Sequence, residues 1–479
     1  MSSPKPLDRV PQPPHPLELV DRERVLALLT EHLSNAWASF DRPRPQEPEL
    51  DSALIERLGE RLPAAPGDPE ASLADIASVL DASVSPARPL YAAYIGSTGL
   101  EAGVLAGALA NAYDVNLAAA AGAAEMLENQ TLRWVAEFVG YPFAEGVFTS
   151  GGMTSNLTAL TAARSLALPD CRRTGVLDCR AAVYCSDESH HSVARAVEVI
   201  GLGSEALRRI PIDGRRRMRI DLLREALVAD VAAGVVPVAV VATAGTTLTG
   251  AIDPLEGVAD LCAEHGVWMH VDGAYGGPAA GVPSLAPLFA GIERADSLTI
   301  DAHKWLGVQK SCSLVLVAHE GQLERAFAHD ERYMLHAGMA ANGVDRTLEY
   351  SRPVRSLKLW LAFRLYGAEL MRAWIEQTAA HAQALGAALA ARPDFELLAE
   401  PSLSVVCFRH LPAGTASPEA LDAHNLHLAR AIAADGRVYL APAQVDGCTC
   451  LRACFMNFRT DAAHVGELLS VVEDLANSV

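Results

Sequence analysis

Five short and almost wholly apolar runs constrain this chain most: Val183-Tyr-Cys, Val235 to Val241, Val267 to Val271, Leu298 to Ile300 and Ser313 to Val317. Runs of this length without polar alternation read as strands covered on both faces of a parallel sheet. Helical patterns lie between them, notably Ser192 to Ile200 and Pro254 to His265. Strand, helix and strand in that order predict a doubly wound, mostly parallel α/β core. Ligands of such sheets bind beyond the carboxyl ends of the strands. Two strand ends stand out on that rule. Gly266-Val-Trp-Met-His-Val-Asp-Gly-Ala-Tyr-Gly276 closes on an acid, Asp272, and Ser297-Leu-Thr-Ile-Asp-Ala-His-Lys-Trp-Leu-Gly307 closes on His303 and Lys304.

Around this core the chain divides into three expected regions. Residues 1–100 start with a Pro-rich arm and continue as amphipathic helices, Leu17 to Phe40, Asp51 to Leu62 and Ser72 to Leu80. These are too few and too short to bury a core alone, so they are expected to pack across a partner subunit. Residues 101–360 carry the large α/β domain, entered through an Ala/Leu-rich region and a helix from Ala123 to Val139 that Gly140 and Pro142 close. A long helix, Val354 to Gln383, then leads into a small C-terminal α+β domain, residues 361–479. Its strands are expected near Glu396 to Leu398, Leu403 to Phe408, Val438 to Ala441 and Leu451 to Met456.

With 479 residues, half of them apolar, the chain can bury a large core. Its net charge of −19 argues against nonspecific binding to nucleic acid or an anionic membrane, since both need a positive surface. No stretch approaches the roughly 20 apolar residues of a membrane span. Nine cysteines in a large acidic chain, with no secretory start, read as a cytoplasmic protein without a disulfide framework. Cys448, Cys450 and Cys454 cluster on one face of a strand, and with no His or second Cys pair nearby they are not read as a metal site.

Several residues carry chemistry by type and place. Lys304, at a strand end between His303 and Trp305, is a candidate for an amine held neutral and aimed. Asp272 ends a buried strand, where an unpartnered aspartate is costly, and so it calls for a cationic partner. Phe148-Thr-Ser-Gly-Gly-Met-Thr-Ser-Asn156 is a glycine-bearing turn opening a helix from Leu157 to Leu166, the kind of place where backbone N–H groups gather an anion. Ala242-Thr-Ala-Gly-Thr-Thr247 ends a strand in a turn rich in hydroxyls. Asp330 to Gly343 has the composition of a loop, with two glycines and little periodicity.

These motifs, in this order from about Tyr91 to the C-terminus, resemble the fold-type I pyridoxal-phosphate (PLP) enzymes. Within them they resemble the group II amino-acid decarboxylases, which include the aromatic-L-amino-acid and glutamate decarboxylases. His-Val-Asp-Gly-Ala-Tyr and Asp-Ala-His-Lys-Trp match that family's cofactor motifs. The resemblance implies a homodimer with shared active sites and pyridoxal 5'-phosphate bound through Lys304 as a Schiff base. Asp272 is then against the pyridine nitrogen, Ala274 lies under the ring, and His190 of Ser186-Asp-Glu-Ser-His-His-Ser192 stacks on it, with His191 the alternative. Gly152, Met153 and Thr154 fall where the family holds the phosphate, and Ser297 and His303 complete the cradle. Thr247 is the ring-side contact, with Thr246 the runner-up.

Asp301 departs from the pattern, since relatives often carry Asn there and a carboxylate repels phosphate. It must point away or pair with a cation. Arg452 matches the arginine facing the substrate carboxylate, and Tyr333 matches the tyrosine that returns a proton after CO2 leaves. Tyr94 and Ser97 align with the side-chain pocket of the aromatic-acid enzymes. The implied reaction is decarboxylation of an L-amino acid, aromatic first, to a primary amine and CO2. An acidic or aliphatic substrate, aldehyde synthesis and transamination are the alternatives. Lys310 is a candidate to meet an acidic side chain from the partner chain.

Overall fold

The computed structural model describes residues 21–40, 51–96, 98–118, 121–177, 179–329, 343–414 and 417–478. They fall into two units: the described residues up to Ser85 with Ala433–Arg437, and Pro86–Ile432 with the residues from Val438 onward.

The first unit holds α1 (Arg22–Ser39), α2 (Ser52–Leu58) and α3 (Pro69–Asp81). Each starts where an aspartate, Asp21, Asp51 or Asp68, accepts a first-turn backbone N–H. Ion pairs join α1 to α3 (Arg24 with Glu70) and α2 to α3 (Arg57 with Asp75, 2.7 Å). Only Leu54 of these helices is buried. Leu26, Leu29, Ile55, Leu58, Ile76 and Leu80 are exposed, as expected of helices that cannot cover their own apolar faces.

The second unit runs α4 (Glu101–Tyr113), α5 (Ala123–Val139), β1 (Glu145–Thr149), α6 (Gly152–Ala167), α7 (Cys171–Thr174), β2 (Ala181–Ser186), α8 (His191–Val199), β3 (Leu207–Ile210), α9 (Ile220–Ala232), β4 (Val236–Thr243), α10 (Leu255–His265) and β5 (Trp268–Asp272). It continues through β6 (Ser297–Ile300), β7 (Ser313–Val317), α11 (Gln322–Phe327) and α12 (Ser356–Ala390). The last elements are β8 (Phe395–Leu397), β9 (Val405–His410), α13 (Pro418–Asp435), β10 (Ala441–Val445), β11 (Cys448–Cys454) and α14 (Ala462–Ala476).

Seven strands form one sheet in the order β1-β7-β6-β5-β4-β2-β3. All point the same way except β7, which is antiparallel to both neighbours. The connection from β6 contains no helix, and an antiparallel pair needs no crossover. Successive strand residues enter different cores: Ala182, Tyr184, Met269 and Val271 join one cluster, and Val183, Cys185, Ala239 and Val241 the other. Helices α5, α9, α10 and α12 cover the first face and α6, α8 and α11 the second. This two-sided burial is why the strands read as unbroken apolar runs. Helix α5 stops where Gly140 takes φ +71°, a left-handed cap that a side chain would strain.

The smaller sheet, β10-β11-β9-β8, is antiparallel and packs on α13, α14 and the end of α12. Three local expectations need correction. Strands β1 and β3 were not foreseen. Strand β10 starts only at Ala441, while Tyr439 before it makes a parallel bridge to Tyr91. The helix expected from Leu157 begins five residues earlier, at Gly152. Residue 360 lies inside α12, as does a break in helical geometry at Gly367 (φ +73°).

Candidate functional site

Three strand ends and two helix starts surround a single cavity. It is lined by Gly152, Met153 and Asn156 of α6, His190 and Ser192 at the start of α8, and Thr243, Gly245 and Thr247 after β4. Asp272, Ala274 and Tyr275 after β5, and Asp301 and Lys304 after β6, complete it. The strands are parallel, so their carboxyl ends lie side by side, and residues separated by more than 100 positions meet there.

Asp272 is buried. Its Oδ1 accepts from the Ala274 N–H (3.1 Å) and its Oδ2 from Asn156 Nδ2 (2.8 Å). His190 is half buried and caps α8, and its Nδ1 accepts from the Ser192 backbone N–H (3.2 Å). Burial, reinforced by the neighbouring His191 and Lys304, holds the His190 imidazole below its ordinary pKa against the opposing pull of Asp272. His191 is the first residue of α8 and is exposed, and it does not line the cavity. Below the cavity Tyr275 stacks on Trp305, with ring centroids 5.0 Å apart.

Lys304 Nζ sits 2.9 Å from Asp301 Oδ2. Asp301 is buried and also accepts from the Ser313 hydroxyl, with His303 Nε2 at 3.9 Å. Of the two options the sequence left for Asp301, pairing with a cation is the one found. The same carboxylate explains the glycine opening α6, because a Cβ on Gly152 would lie 2.8 Å from Asp301 Oδ2.

The anticipated anion cradle is brought together only in part. Gly152 and Met153 line the cavity, while the Thr154 hydroxyl is engaged with Ser150 (2.9 Å). His303 does not line it; its Nδ1 is within bonding distance of the Cys312 carbonyl (3.1 Å), and burial lowers its pKa. Ser297 has to be moved out of the site. It begins β6, paired with His270, whereas the cavity lies past the far end of that strand. Its hydroxyl is taken up by Trp268 Nε1 and His270 Nδ1, both at 2.8 Å. Thr247 lines the cavity, but the Thr246 hydroxyl is buried under the turn with Thr249 and the Ala251 N–H.

Arg452 on β11 is 95% buried, Nε donating to Leu248 O (3.2 Å) and Nη1 to Ala93 O (2.9 Å). Its Nη2 has no partner among the described residues. Arg452 is bonded to the turn that carries Thr247 but does not itself line the cavity. Tyr94 is 64% exposed. Ser97 and Tyr333 lie outside the described residues.

The sequence reading overlooked Asn156, Ser192 and His270. A signal was available for His270: a histidine inside the apolar run Val267 to Val271 is buried on both sides and must find partners. Asn156 sits one turn inside a helix, where Asn is otherwise disfavoured.

The donor set fits PLP chemically, with an amine for the aldehyde, a carboxylate for the ring nitrogen and a helix start for the phosphate. Residues 52–411 match the model of the pyridoxal-dependent decarboxylase conserved domain. The chain is 31% identical to an aromatic-L-amino-acid decarboxylase of Bacillus atrophaeus, over 94% of each chain. It is 34% identical to a cysteine sulfinic acid decarboxylase of Mus musculus, over 60% of this chain and 59% of that one. Among solved structures, TDC of Oryza sativa with PLP and tryptamine superposes with a TM-score of 0.90 at 26% identity, covering 98% of this chain and 99% of that one.

Proposed function

The chain belongs to the pyridoxal-dependent decarboxylase family and is a PLP-dependent amino-acid decarboxylase, and from that premise we propose that it converts an aromatic L-amino acid to its primary amine and CO2. Bound PLP supplies an electron sink for the bond that breaks.

The chain's own residues bind, orient and protonate. Lys304 would hold the cofactor through its amine, Asp272 would pair with its pyridine nitrogen and His190 would cover its ring. Gly152 and Met153 offer the phosphate a helix start, with Thr154, Thr247 and Ala274 close to them. On the family resemblance Arg452 is assigned to the substrate carboxylate, its Nη2 being without a partner among the described residues, and Tyr94 and Ser97 are assigned to the substrate side chain. By holding that carboxylate in one orientation, the chain would favour loss of CO2 over cleavage of another bond at the same carbon. Tyr333 then delivers a proton to the carbon that has lost CO2.

The observation that carries this reading is the convergence of the Lys304 amine, the Asp272 carboxylate and the His190 imidazole on one cavity. The aromatic preference draws on the bacterial relative's specificity and on the tryptamine-bearing neighbour. An acidic substrate is the second reading, favoured by the cysteine sulfinic acid relative and by Lys310 near His303.

The enzyme works as a homodimer in the cytoplasm. Supporting the dimer are the uncovered apolar side chains of α1 to α3 and of Leu105, Leu109 and Tyr113 on α4. Supporting the compartment are nine cysteines that are all free thiols. Among the described residues no helix is long and apolar enough to cross a membrane.

A screen of the common L-amino acids for amine and CO2 tests the reaction and its substrate together. Release of tyramine, tryptamine or phenethylamine with CO2, abolished by Lys304→Ala, is the expected result. Amine from an acidic or aliphatic amino acid instead overturns the aromatic assignment, and keto acid without CO2 overturns decarboxylation.

A further inference from the structure

Behind the cavity runs a buried polar chain whose direction can be read from two groups that can only donate. The indole Nε1–H of Trp268 donates to Ser297 Oγ (2.8 Å), and the Ser192 backbone N–H donates to His190 Nδ1 (3.2 Å). Between them, Ser297 Oγ meets His270 Nδ1 (2.8 Å) and His270 Nε2 meets Asn156 Oδ1 (3.0 Å). Asn156 Nδ2 reaches both Asp272 Oδ2 (2.8 Å) and Ser192 Oγ (2.9 Å), and Ser192 Oγ meets His190 Nδ1 (2.9 Å).

With both imidazoles neutral, only one arrangement of protons satisfies every contact. The Asn156 amide must turn its N–H groups to the Asp272 carboxylate, which leaves its oxygen to His270. An oxygen cannot donate, so His270 Nε2 carries the proton. Burial holds the His270 pKa down at about 4, so the ring is neutral and its Nδ1 is bare, accepting from the Ser297 hydroxyl. At the other end the second Asn156 N–H occupies Ser192 Oγ, whose own proton turns to His190 Nδ1. That nitrogen already accepts a backbone N–H, so a neutral His190 carries its proton on Nε2.

We propose that Asn156, oriented by His270, is a positioning residue that sets the Asp272 carboxylate and, through Ser192, fixes His190 as an Nε2–H donor. One amide thereby couples the group facing the ring nitrogen to the group covering the ring. His190 offers the substrate a hydrogen-bond donor and has no lone pair free to act as a base.

The inference rests on the roles given above to Asp272 and His190, so its test includes a measurement that needs no cofactor. Imidazole 15N shifts of the cofactor-free protein at neutral pH should show both His190 and His270 protonated on Nε2 alone. A proton on Nδ1 of either ring overturns the proposal and leaves the decarboxylase reading standing.

With 15N-labelled PLP bound, Asn156→Leu and His270→Leu should move the pyridine nitrogen signal toward its unprotonated position. They should also weaken cofactor binding about ten- to a hundredfold, the worth of one hydrogen bond to a charged group. His270→Gln keeps a donor at the Nε2 position and should retain the wild-type signal. If Asn156→Leu fails to fold, the contrast between Leu and Gln at 270 decides, and equal effects of the two overturn the proposal. Failure of the wild-type protein to bind PLP would instead count against the cofactor roles of Lys304 and Asp272.

Discussion

Replacing Glu128 by Gln removes one half of the buried ion pair that fastens the segment entering α12. Arg352 meets Glu128 on both prongs, Nη1 to Oε2 at 2.8 Å and Nη2 to Oε1 at 2.7 Å, with side chains 4% and 6% exposed. The arginine backbone is engaged too, its N–H donating to Asn116 Oδ1 (3.1 Å) and its carbonyl accepting from Leu117 N (2.9 Å). The pair therefore ties residues just after the 330–342 segment to α5 and to the turn beyond α4. Gln preserves shape and one acceptor oxygen but leaves a guanidinium buried without its counter-charge. Breaking a buried pair from one side costs about 3–5 kcal/mol. An unfolding entropy of about 2.1 cal/mol/K per residue gives roughly 0.8 kcal/mol/K for a unit of about 390 residues, and hence a midpoint lowered by about 4–6 °C. Thermal denaturation followed by circular dichroism at one scan rate measures it. Glu128→Gln combined with Arg352→Met should recover most of the loss, because no stranded charge remains. A single variant within about 1 °C of wild type, or a double variant worse than the single, refutes the reasoning.

Three further outcomes are expected. The low pKa of His270, about 4, means that the folded protein binds fewer protons than the unfolded chain between about 6.5 and 4. Stability from this group is therefore complete above pH 6.5 and is lost as pH falls through 4, on the order of 3 kcal/mol in all. His270→Gln should flatten that part of a plot of urea midpoint against pH, and an unchanged slope would sink the assignment. Gly152→Ala drives a methyl against the Asp301 carboxylate, at a cost of about 1–3 kcal/mol, and should loosen PLP binding measured by fluorescence titration. Unaltered affinity and stability would mean that the contact relaxes freely. Tyr333→Phe should divert product from amine toward aldehyde, as quantified by chromatography, and an unchanged amine yield would remove Tyr333 from the proton-donor role.

The cavity was legible where local sequence dictates local geometry. Asp272, Ala274 and Lys304 are each placed by the end of an apolar run, and a strand end is a property of a few consecutive residues. The glycine turn before α6 is equally local, while the choice of Gly152 and Met153 within it came from the family resemblance. Ser297 shows where such reading stops. It belongs to the same motif as Lys304, but it opens the four-residue strand β6, so it lies at the end of that strand opposite the cavity. Proximity along the chain does not become proximity in space when an extended strand intervenes, since each residue advances about 3.3 Å.

What the sequence by itself determined is the alternation of strand and helix, and with it a parallel core whose strand ends must host the site. The tertiary structure alone decided which polar groups answer one another. Asn156 meets Asp272 across 116 positions and Ser192 across 36, and Arg452 reaches the Ala93 carbonyl across 359. The partner of Asp301 also stayed open until the turn after β6 was seen to fold Lys304 back onto it. The physical reason is that periodicity reports which face of an element is buried, whereas a hydrogen bond depends on angles and distances between elements that burial does not encode.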